Sequence, residues 1–179
     1  NTVTGNSSFR VDGTTTINGG SVTTTGAQIY SSAVFLGDDT TLDADAGNIT
    51  FSSTVDSATS TAKTLTLNST GITTLSDAVG STHALSSLTT NAGGSVAING
   101  GSVTTTGAQS YGDAVTLGTA TTLTASNVKF ENTVTGSSSL SVVGSTTLNG
   151  GSVTTTGAQS YSGAVTLGVD TLLEAGASD

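Results

Sequence analysis

The sequence predicts an all-β protein, and three observations support that fold class. The chain has 24 glycines, no proline and no methionine, and it has only three Lys and Arg residues together. Residues that favour strands, above all Thr and Val, outnumber the good helix formers. The stretch Asn-Gly-Gly-Ser-Val-Thr-Thr-Thr-Gly-Ala-Gln occurs three times without change, at 18–28, 99–109 and 149–159. Repeated short strands of this kind are typical of a parallel β-solenoid, or β-helix.

The spacing of the three copies predicts the size of one sequence unit. Successive copies begin 81 and then 50 residues apart. We therefore expect a unit of about 50 residues and an insertion in the first unit. The whole chain, 1–179, is interpreted as one solenoid segment. Its predicted units are 18–98 (with the insertion at about 58–88), 99–148 and the partial unit 149–179, while 1–17 is the tail of a preceding unit.

The number of strands in one unit predicts the size of a coil. Six short pieces with alternating apolar residues, bounded by turn formers, occur in the unit 99–148. We expect two coils of about 25 residues, each with three short strands, and about seven coils in a rod of about 34 Å. The six pieces are 103–106, 114–117, 121–124, 128–134, 140–143 and 146–148.

The insertion has the same texture as the rest of the chain. Its Leu65-Thr-Leu-Asn and Gly71-Ile-Thr-Thr-Leu pieces alternate like the other strands. We therefore expect an added coil, in which 58–63 and 77–84 loop out or form a short helical turn.

Charge excludes two classes of partner. Twelve acidic residues against three basic ones leave a net charge of -9. No cationic surface is available for a phosphate backbone or for anionic lipid, so we expect no nucleic-acid partner. No apolar run approaches the about 20 residues needed to span a bilayer, so membrane insertion is not expected either. The chain begins at Asn1 and shows no signal peptide, which leaves the export route open.

Three pieces of the second unit carry a resemblance to a known protein class. Gly107-Ala-Gln-Ser-Tyr, Ala114-Val-Thr-Leu-Gly and 121–130 resemble the Thr/Gly/Asn-rich repeats of large bacterial exoproteins. The similar proteins are adhesins of the filamentous-haemagglutinin type and of the autotransporter type. The resemblance implies a right-handed parallel β-helix, secretion to the cell surface or the medium, and a role in adhesion or in an extended stalk. It implies no catalytic residue and no cofactor.

Histidine-based chemistry is not expected. His83 is the only histidine, and the chain has no cysteine. A catalytic triad and a histidine-based zinc site both need partners that the sequence lacks. We interpret His83 as a solvated loop residue.

The densest acidic cluster is Asp38, Asp39, Asp43 and Asp45. Alternate strand positions would place Asp43 and Asp45 on one outward face, where carboxylates suit calcium. However, the calcium-binding nonapeptide of β-rolls is absent, and the next unit has no acidic residues at the equivalent positions. We favour a solvated turn, and calcium binding stays the alternative.

An enzyme is not expected. Carboxylate pairs serve glycoside hydrolases, and β-helical polysaccharide lyases need basic residues near their acids. The basic residues Arg10, Lys63 and Lys129 are scattered along the chain. We therefore predict no catalytic, cofactor-binding or metal-binding residue.

Three side-chain types recur in phase with the repeat. The tyrosines would form either a sugar-stacking stripe or semi-buried corner covers, and we favour corners. The asparagines are expected at corners, because Asn tolerates left-handed backbone. Thr-x-Thr pairs can bind ice, but an ice-binding face needs a pair on nearly every coil, and these recur about once in two coils. The residues are Tyr30, Tyr111 and Tyr161; Asn18, Asn99 and Asn149; and Thr23/Thr25, Thr104/Thr106 and Thr154/Thr156.

The expected function is a non-catalytic extracellular or cell-surface scaffold. The first alternative is a self-assembling subunit, because no cap is recognisable and the two termini lie at nearly matching repeat phases. Excision from a longer polypeptide explains the same facts. A further alternative is a module that binds polysaccharide or another surface.

Overall fold

The structure, a computed structural model, describes residues 2–176 as nine stacked coils of short parallel strands. Within that range there is no helix. The strands of coils 1 to 4 are β1 (Thr2–Gly5), β2 (Phe9–Val11), β3 (Thr15–Ile17), β4 (Ser21–Thr24), β5 (Gln28–Tyr30), β6 (Val34–Leu36), β7 (Thr40–Asp43), β8 (Ile49–Phe51), β9 (Val55–Ser57), β10 (Thr64–Asn68) and β11 (Ile72–Leu75).

The remaining strands form coils 5 to 9. Two of them, β17 and β19, run around a corner and belong to two coils each. The strands are β12 (Ser87–Thr90), β13 (Ser95–Ile98), β14 (Ser102–Thr104), β15 (Gln109–Tyr111), β16 (Ala114–Leu117), β17 (Thr121–Phe130), β18 (Val134–Gly136), β19 (Leu140–Leu148), β20 (Ser152–Thr155), β21 (Gln159–Tyr161), β22 (Val165–Leu167) and β23 (Leu172–Ala175).

The coils stack into a rod with three faces, and every strand pair between coils is parallel. Face 1 contains β1, β4, β7, β10, β12, β15, the second halves of β17 and β19, and β22. Face 2 contains β2, β5, β8, β11, β13, β16, β18, β20 and β23. Face 3 contains β3, β6, β9, the bridge residue Val79, β14, the first halves of β17 and β19, and β21.

The coil is shorter than the sequence predicts. Most paired residues on adjacent coils are about 19 residues apart, not about 25. Among the strand pairs of residues 2–176, a spacing of 25 occurs only between β7 and β10, for example where Leu65 pairs with Thr40. Nine coils at about 4.8 Å make a rod of about 43 Å.

A missed strand and two merged strands explain the difference. The unit 99–148 contains eight strand segments and not six, because β15 was not predicted and the piece 128–134 covers parts of β17 and β18. Eight segments on three faces make two and two-thirds coils. The sequence period of 50 residues is therefore not a whole number of coils.

As a consequence, each copy of the invariant stretch begins on a different face. The first strand of the copy is β4 on face 1, β14 on face 3 and β20 on face 2. The first two copies lie three and two-thirds coils apart, one coil more than the last two. The insertion predicted at about 58–88 thus corresponds to one additional coil with enlarged loops.

The core is a thin interior of aliphatic columns, filled by the alternate residues of each strand. On face 1, for example, Leu42 pairs with Leu67 of the next coil, and Phe130 pairs with Leu148 of the next coil. In the described part of the chain, no helix is long and apolar enough to cross a membrane.

Candidate functional site

The invariant stretch builds a buried polar network at a corner of the coil. In the second copy, the side-chain amide of Gln109 donates hydrogen bonds to the carbonyl of Val103 (3.0 Å), to the Thr105 hydroxyl (3.4 Å) and to the carbonyl of Thr124 (3.0 Å). The Gln109 side-chain oxygen accepts a bond of 3.0 Å from the Tyr111 hydroxyl. Since Thr124 lies one coil after Val103 and Thr105 on face 3, the network joins two coils.

The same network recurs at the other two copies. Gln28 donates to Val22, Thr24 and Asp43, and Gln159 donates to Val153, Thr155 and Glu174. In each copy the threonine donates its own hydroxyl to the carbonyl of the glycine two residues later, at 2.6 to 2.9 Å. Burial without such partners would cost each polar group free energy, so the network makes a buried glutamine tolerable.

The three tyrosines complete these corners and do not form a stripe. Tyr30 and Tyr111 are fully buried, and each stacks on a phenylalanine of the next coil, Phe51 at 5.1 Å and Phe130 at 5.4 Å between ring centroids. Burial raises the pKa of both buried phenols. Tyr161 is partly buried, with its pKa raised to about 12 by desolvation.

The tyrosines also lie on three different faces, which follows from the rotation of the copies. A sugar-stacking stripe needs exposed rings on one face. The tyrosines therefore do not form that stripe, and Tyr30 and Tyr111 lie inside the rod, deeper than the semi-buried corner position expected of them, while Tyr161 is partly buried.

Each invariant asparagine lies against a glycine one coil later. A β-carbon on Gly37, Gly118 or Gly168 would collide with the side-chain oxygen of Asn18, Asn99 or Asn149, respectively. The left-handed backbone at this corner belongs to the second glycine of Asn-Gly-Gly, with φ of 76°, 74° and 75° in the three copies. The expectation that Asn adopts this backbone was wrong, because in residues 2–176 the only non-glycine residue with positive φ is Asp45.

The outward Thr-x-Thr pairs also point to three different faces. A column of outward residues nevertheless runs along face 1, built mainly from residues outside the invariant stretch and carrying hydroxyls at every coil but one. Its members are Thr2, Ser21, Thr41, Thr66, Thr89, Ser110, Thr147 and Thr166, with Lys129 between Ser110 and Thr147.

The Thr-x-Thr pairs themselves do not recur on nearly every coil of one face, which is what an ice-binding face would need. Beside the column on face 1, Thr4 and Thr23 are followed by Asp43 and Asn68, so a second hydroxyl column is interrupted, and Lys129 with its ion-pair partner Glu131 interrupts the first. The face presents one file of hydroxyls and not the two-file array that an ice surface would need.

Three of the four aspartates of the acidic cluster accept hydrogen bonds from separate backbone amides. Asp38 accepts from the amide of Asp39, Asp43 from that of Asp45, and Asp39 from that of Thr64. Among the described residues, no three His, Asp or Glu side chains come close enough to hold a metal ion. The arrangement is that of polar turns.

His83 lies in the loop that follows Val79 and covers Asp56 of β9 on face 3. Its backbone amide and that of Thr82 donate to the carboxylate of Asp56, at 3.2 and 2.8 Å, and Asp56 is buried beneath the loop. The neighbouring Ser57 accepts from the amide of Lys63 and donates to the carbonyl of Ala84. These bonds fix both enlarged loops of the inserted coil.

The charged groups do not converge on a common site. The ion pairs found in residues 2–176 are Arg10 with Asp12 on face 2 and Lys129 with Glu131 on face 1. The hydrogen bond from the cation lowers the carboxyl pKa of Asp12 in the first pair and of Glu131 in the second. A site for acidic sugars would need these cations beside a pair of carboxylates.

The sequence analysis missed two buried carboxylates, Asp56 and Asp113. Asp113 is buried beside the second-copy tyrosine and accepts a bond of 2.7 Å from the amide of Gly94. Burial raises the pKa of this carboxyl, against the opposing effect of the bonds from Gly94 and Thr90. The positions equivalent to Asp113 in the other two copies are Ser32 and Gly163. Because neither is acidic, the repeat gave no sign that an acid at this position matters.

Comparison of the chain with protein-family models, with curated proteins and with solved structures gives no match.

Proposed function

We propose that this chain is a non-catalytic structural module, a stalk or scaffold segment of an extracellular adhesin-like repeat protein. The observation that carries the proposal is the direction of the repeated side chains. The residues that recur with identical contacts are the threonine, glutamine and tyrosine of the corner network, and all three point into the rod. Repetition of interior contacts serves the rod itself and not a ligand.

Outward residues at matched positions support the same conclusion. Between the invariant glutamine and tyrosine, the outward residue is Ile29, Ser110 or Ser160. The outward residues that do recur, such as the Thr-x-Thr pairs, lie on different faces. A binding site repeated along one side of the rod is therefore not built from the repeat.

We propose in addition that the protein lies outside the cell and that its coil is right-handed. The resemblance to the repeats of large exoproteins supports a location outside the cell. A right-handed coil follows the strong preference of parallel β-strand crossovers for that hand.

A duplication of 99–148 tests the rod. The second copy of the unit should add two and two-thirds coils, or about 13 Å, to the length measured by small-angle scattering, with no change in cross-section. A particle that grows in all dimensions would contradict the proposal. Cell-surface location is tested separately, by antibody labelling of intact producing cells: label on intact cells supports it, and label only after lysis contradicts it.

A further inference from the structure

We propose that the Asn-Gly corners of the rod are sites of spontaneous deamidation, and that in the folded coil the glycine one coil later holds each asparagine in an unreactive position. The co-reactant is water, and the product is aspartate or isoaspartate. The inference rests neither on the stalk function nor on the cellular location. The three asparagines are Asn18, Asn99 and Asn149, and the glycines one coil later are Gly37, Gly118 and Gly168.

The chemistry needs a close approach of two groups within one corner. The backbone nitrogen of the glycine attacks Cγ of the asparagine, so that an N–Cγ bond forms and the Cγ–Nδ2 bond breaks. The proton of the attacking amide goes to Nδ2, which leaves as ammonia. Water then opens the resulting succinimide at either of its carbonyl groups, which gives aspartate or isoaspartate without any oxidation or reduction.

The sequence favours this reaction at the corners of the invariant stretch. Only three of the ten asparagines in the chain precede a glycine, and they are the ones that begin the three copies. The other seven precede a residue with a β-carbon, which obstructs ring closure, whereas glycine leaves the attack unhindered. Asn18 and Asn99 are exposed and Asn149 is partly exposed, so water reaches all three.

The folded coil restrains both reacting groups at Asn99, which lies in the middle of the rod. Its side-chain oxygen and Cγ pack against the bare α-carbon of Gly118. The attacking nitrogen is that of Gly100, and its N–H donates to the carbonyl of Leu75 at 3.2 Å, as the Asn99 amide does at 2.8 Å. Because ring closure removes the Gly100 proton and turns the asparagine side chain inward on its own backbone, the corner must open before it reacts.

At the third copy a hydrogen bond adds to the restraint. Nδ2 of Asn149 donates to the Glu131 carboxylate at 2.7 Å, and the side-chain oxygen of Asn149 lies against Gly168. The backbone of Gly150 is packed so closely on that of Asn132 that a β-carbon there would collide with it. Deamidation to aspartate would replace the Nδ2 donor with a second carboxylate opposite Glu131, and like charges repel.

Conversion would alter the corner in which it occurs. Isoaspartate carries the main chain through the former side-chain carbon, so the corner gains one backbone atom. The strands on the two sides of Asn99, β13 and β14, pair in fixed register with the neighbouring coils. A longer corner does not fit both registers, because a shift in register turns interior side chains outward. Deamidation of an opened corner therefore prevents it from closing as before.

Peptide mass mapping of the full chain tests the inference after incubation at mildly alkaline pH, with and without denaturant. In denaturant the three Asn-Gly sites should convert at similar rates and faster than the other asparagines. In the folded chain Asn99 should convert about tenfold more slowly, because only opened corners react. Gly118→Ala, which displaces the Asn99 side chain, should raise conversion at Asn99 above that at Asn18 and Asn149 of the same molecules.

Two further variants complete the series. Gly13→Ala adds a methyl group where no other atom lies within 4 Å, and it should leave all three rates unchanged. Glu131→Ala removes the bond to Asn149 without adding atoms, and it should raise conversion at Asn149 alone.

Equal rates at Asn99 in the folded and the unfolded chain would overturn the inference. So would a Gly118→Ala variant that leaves the Asn99 rate unchanged or raises all three rates by the same factor, and so would an unchanged Asn149 rate in Glu131→Ala. None of these outcomes alters the length of the rod, so the stalk proposal is judged separately.

Discussion

The side-chain oxygen of Asn99 occupies the space that a β-carbon on Gly118 would need, although the two residues are 19 positions apart in the chain. One heads the invariant stretch and the other ends the Val-x-Leu-Gly piece that follows it. Because the distance between them equals one coil, the repeated segment packs its own end against its own beginning. Asn18 with Gly37 and Asn149 with Gly168 repeat this contact.

Substitution of Gly118 by alanine should therefore destabilise the rod by about 1–3 kcal/mol, the usual cost of overpacking a fitted site. The double variant G118A/N99A removes the obstacle and should recover at least half of that loss. Denaturant unfolding of the two single variants and the double variant measures the coupling. Strictly additive effects would show that the asparagine is not the obstructing group.

Gln109→Leu should be far more costly than Gln159→Leu. Gln109 is buried, and its loss leaves the hydroxyl of Tyr111 without its partner and removes the side-chain bonds to the carbonyls of Val103 and Thr124, although the Thr124 carbonyl still accepts from the amide of Thr105. An unsatisfied buried group costs about 1–3 kcal/mol and each further lost hydrogen bond about 1 kcal/mol, so we expect a loss of about 3 kcal/mol or more.

Gln159 makes the same bonds in a partly exposed copy, where water can replace them. Its substitution serves as the matched control and should cost about 1 kcal/mol. Equal losses at the two sites, measured by thermal and denaturant unfolding, would contradict the role of burial in this network.

Alkaline titration should report the interior position of the tyrosines. Burial raises the pKa of Tyr161 from 10.0 to about 12 and raises those of Tyr30 and Tyr111 as well. The folded state therefore keeps these protons while the unfolded state releases them, and stability should fall as the pH rises above 10. Near-ultraviolet absorbance should show phenolate forming together with loss of the circular dichroism of the strands. Ionisation of Tyr30 and Tyr111 with the strands intact would contradict their burial.

Asp113 should make the rod less stable at neutral pH than in mild acid. Because burial raises its pKa in the folded state, the folded chain binds this proton more tightly than the unfolded chain. Stability due to this group is highest below the ordinary pKa of 3.8 and is lost as the pH rises through the raised value.

Asp113→Asn keeps an oxygen for the Gly94 amide and removes the charge, so it should raise the melting temperature at pH 7 and flatten this part of the pH profile. Asp113→Ser, which introduces the residue found at Ser32 in the first copy, should flatten the profile as well. An unchanged profile in both variants would assign the pH dependence to other groups.

Period-two alternation and the repeat were enough to predict the parallel β-solenoid. The size of the coil was not predictable from the same signals, because β15 is the polar sequence Gln109-Ser-Tyr111 and its interior residues bond to each other. Strand pattern rules look for aliphatic alternation and pass over such a strand. Asn99 and Gly118 are 19 residues apart, which is the length of one coil, but only the folded coil shows that these two residues are in contact.

The same packing explains why the hydroxyl column on face 1 was missed. Thr41, Thr66 and Thr89 are separated by 25 and 23 residues and share no sequence motif. Coils of unequal length bring them into line, and this length depends on loops whose size the sequence pattern does not define.

The rotation of the invariant stretch also affects how such a chain can change in length over evolution. Segments that encode the same residues are natural sites for unequal recombination, and an exchange between the copies at 18–28 and 99–109 removes 81 residues. The junction created by that exchange is again an intact copy, with its corner contacts encoded on both sides. Since the copy already functions at three different faces, the joined rod does not need whole coils to be lost or gained. Length can therefore vary between descendants without a compensating change in the interior.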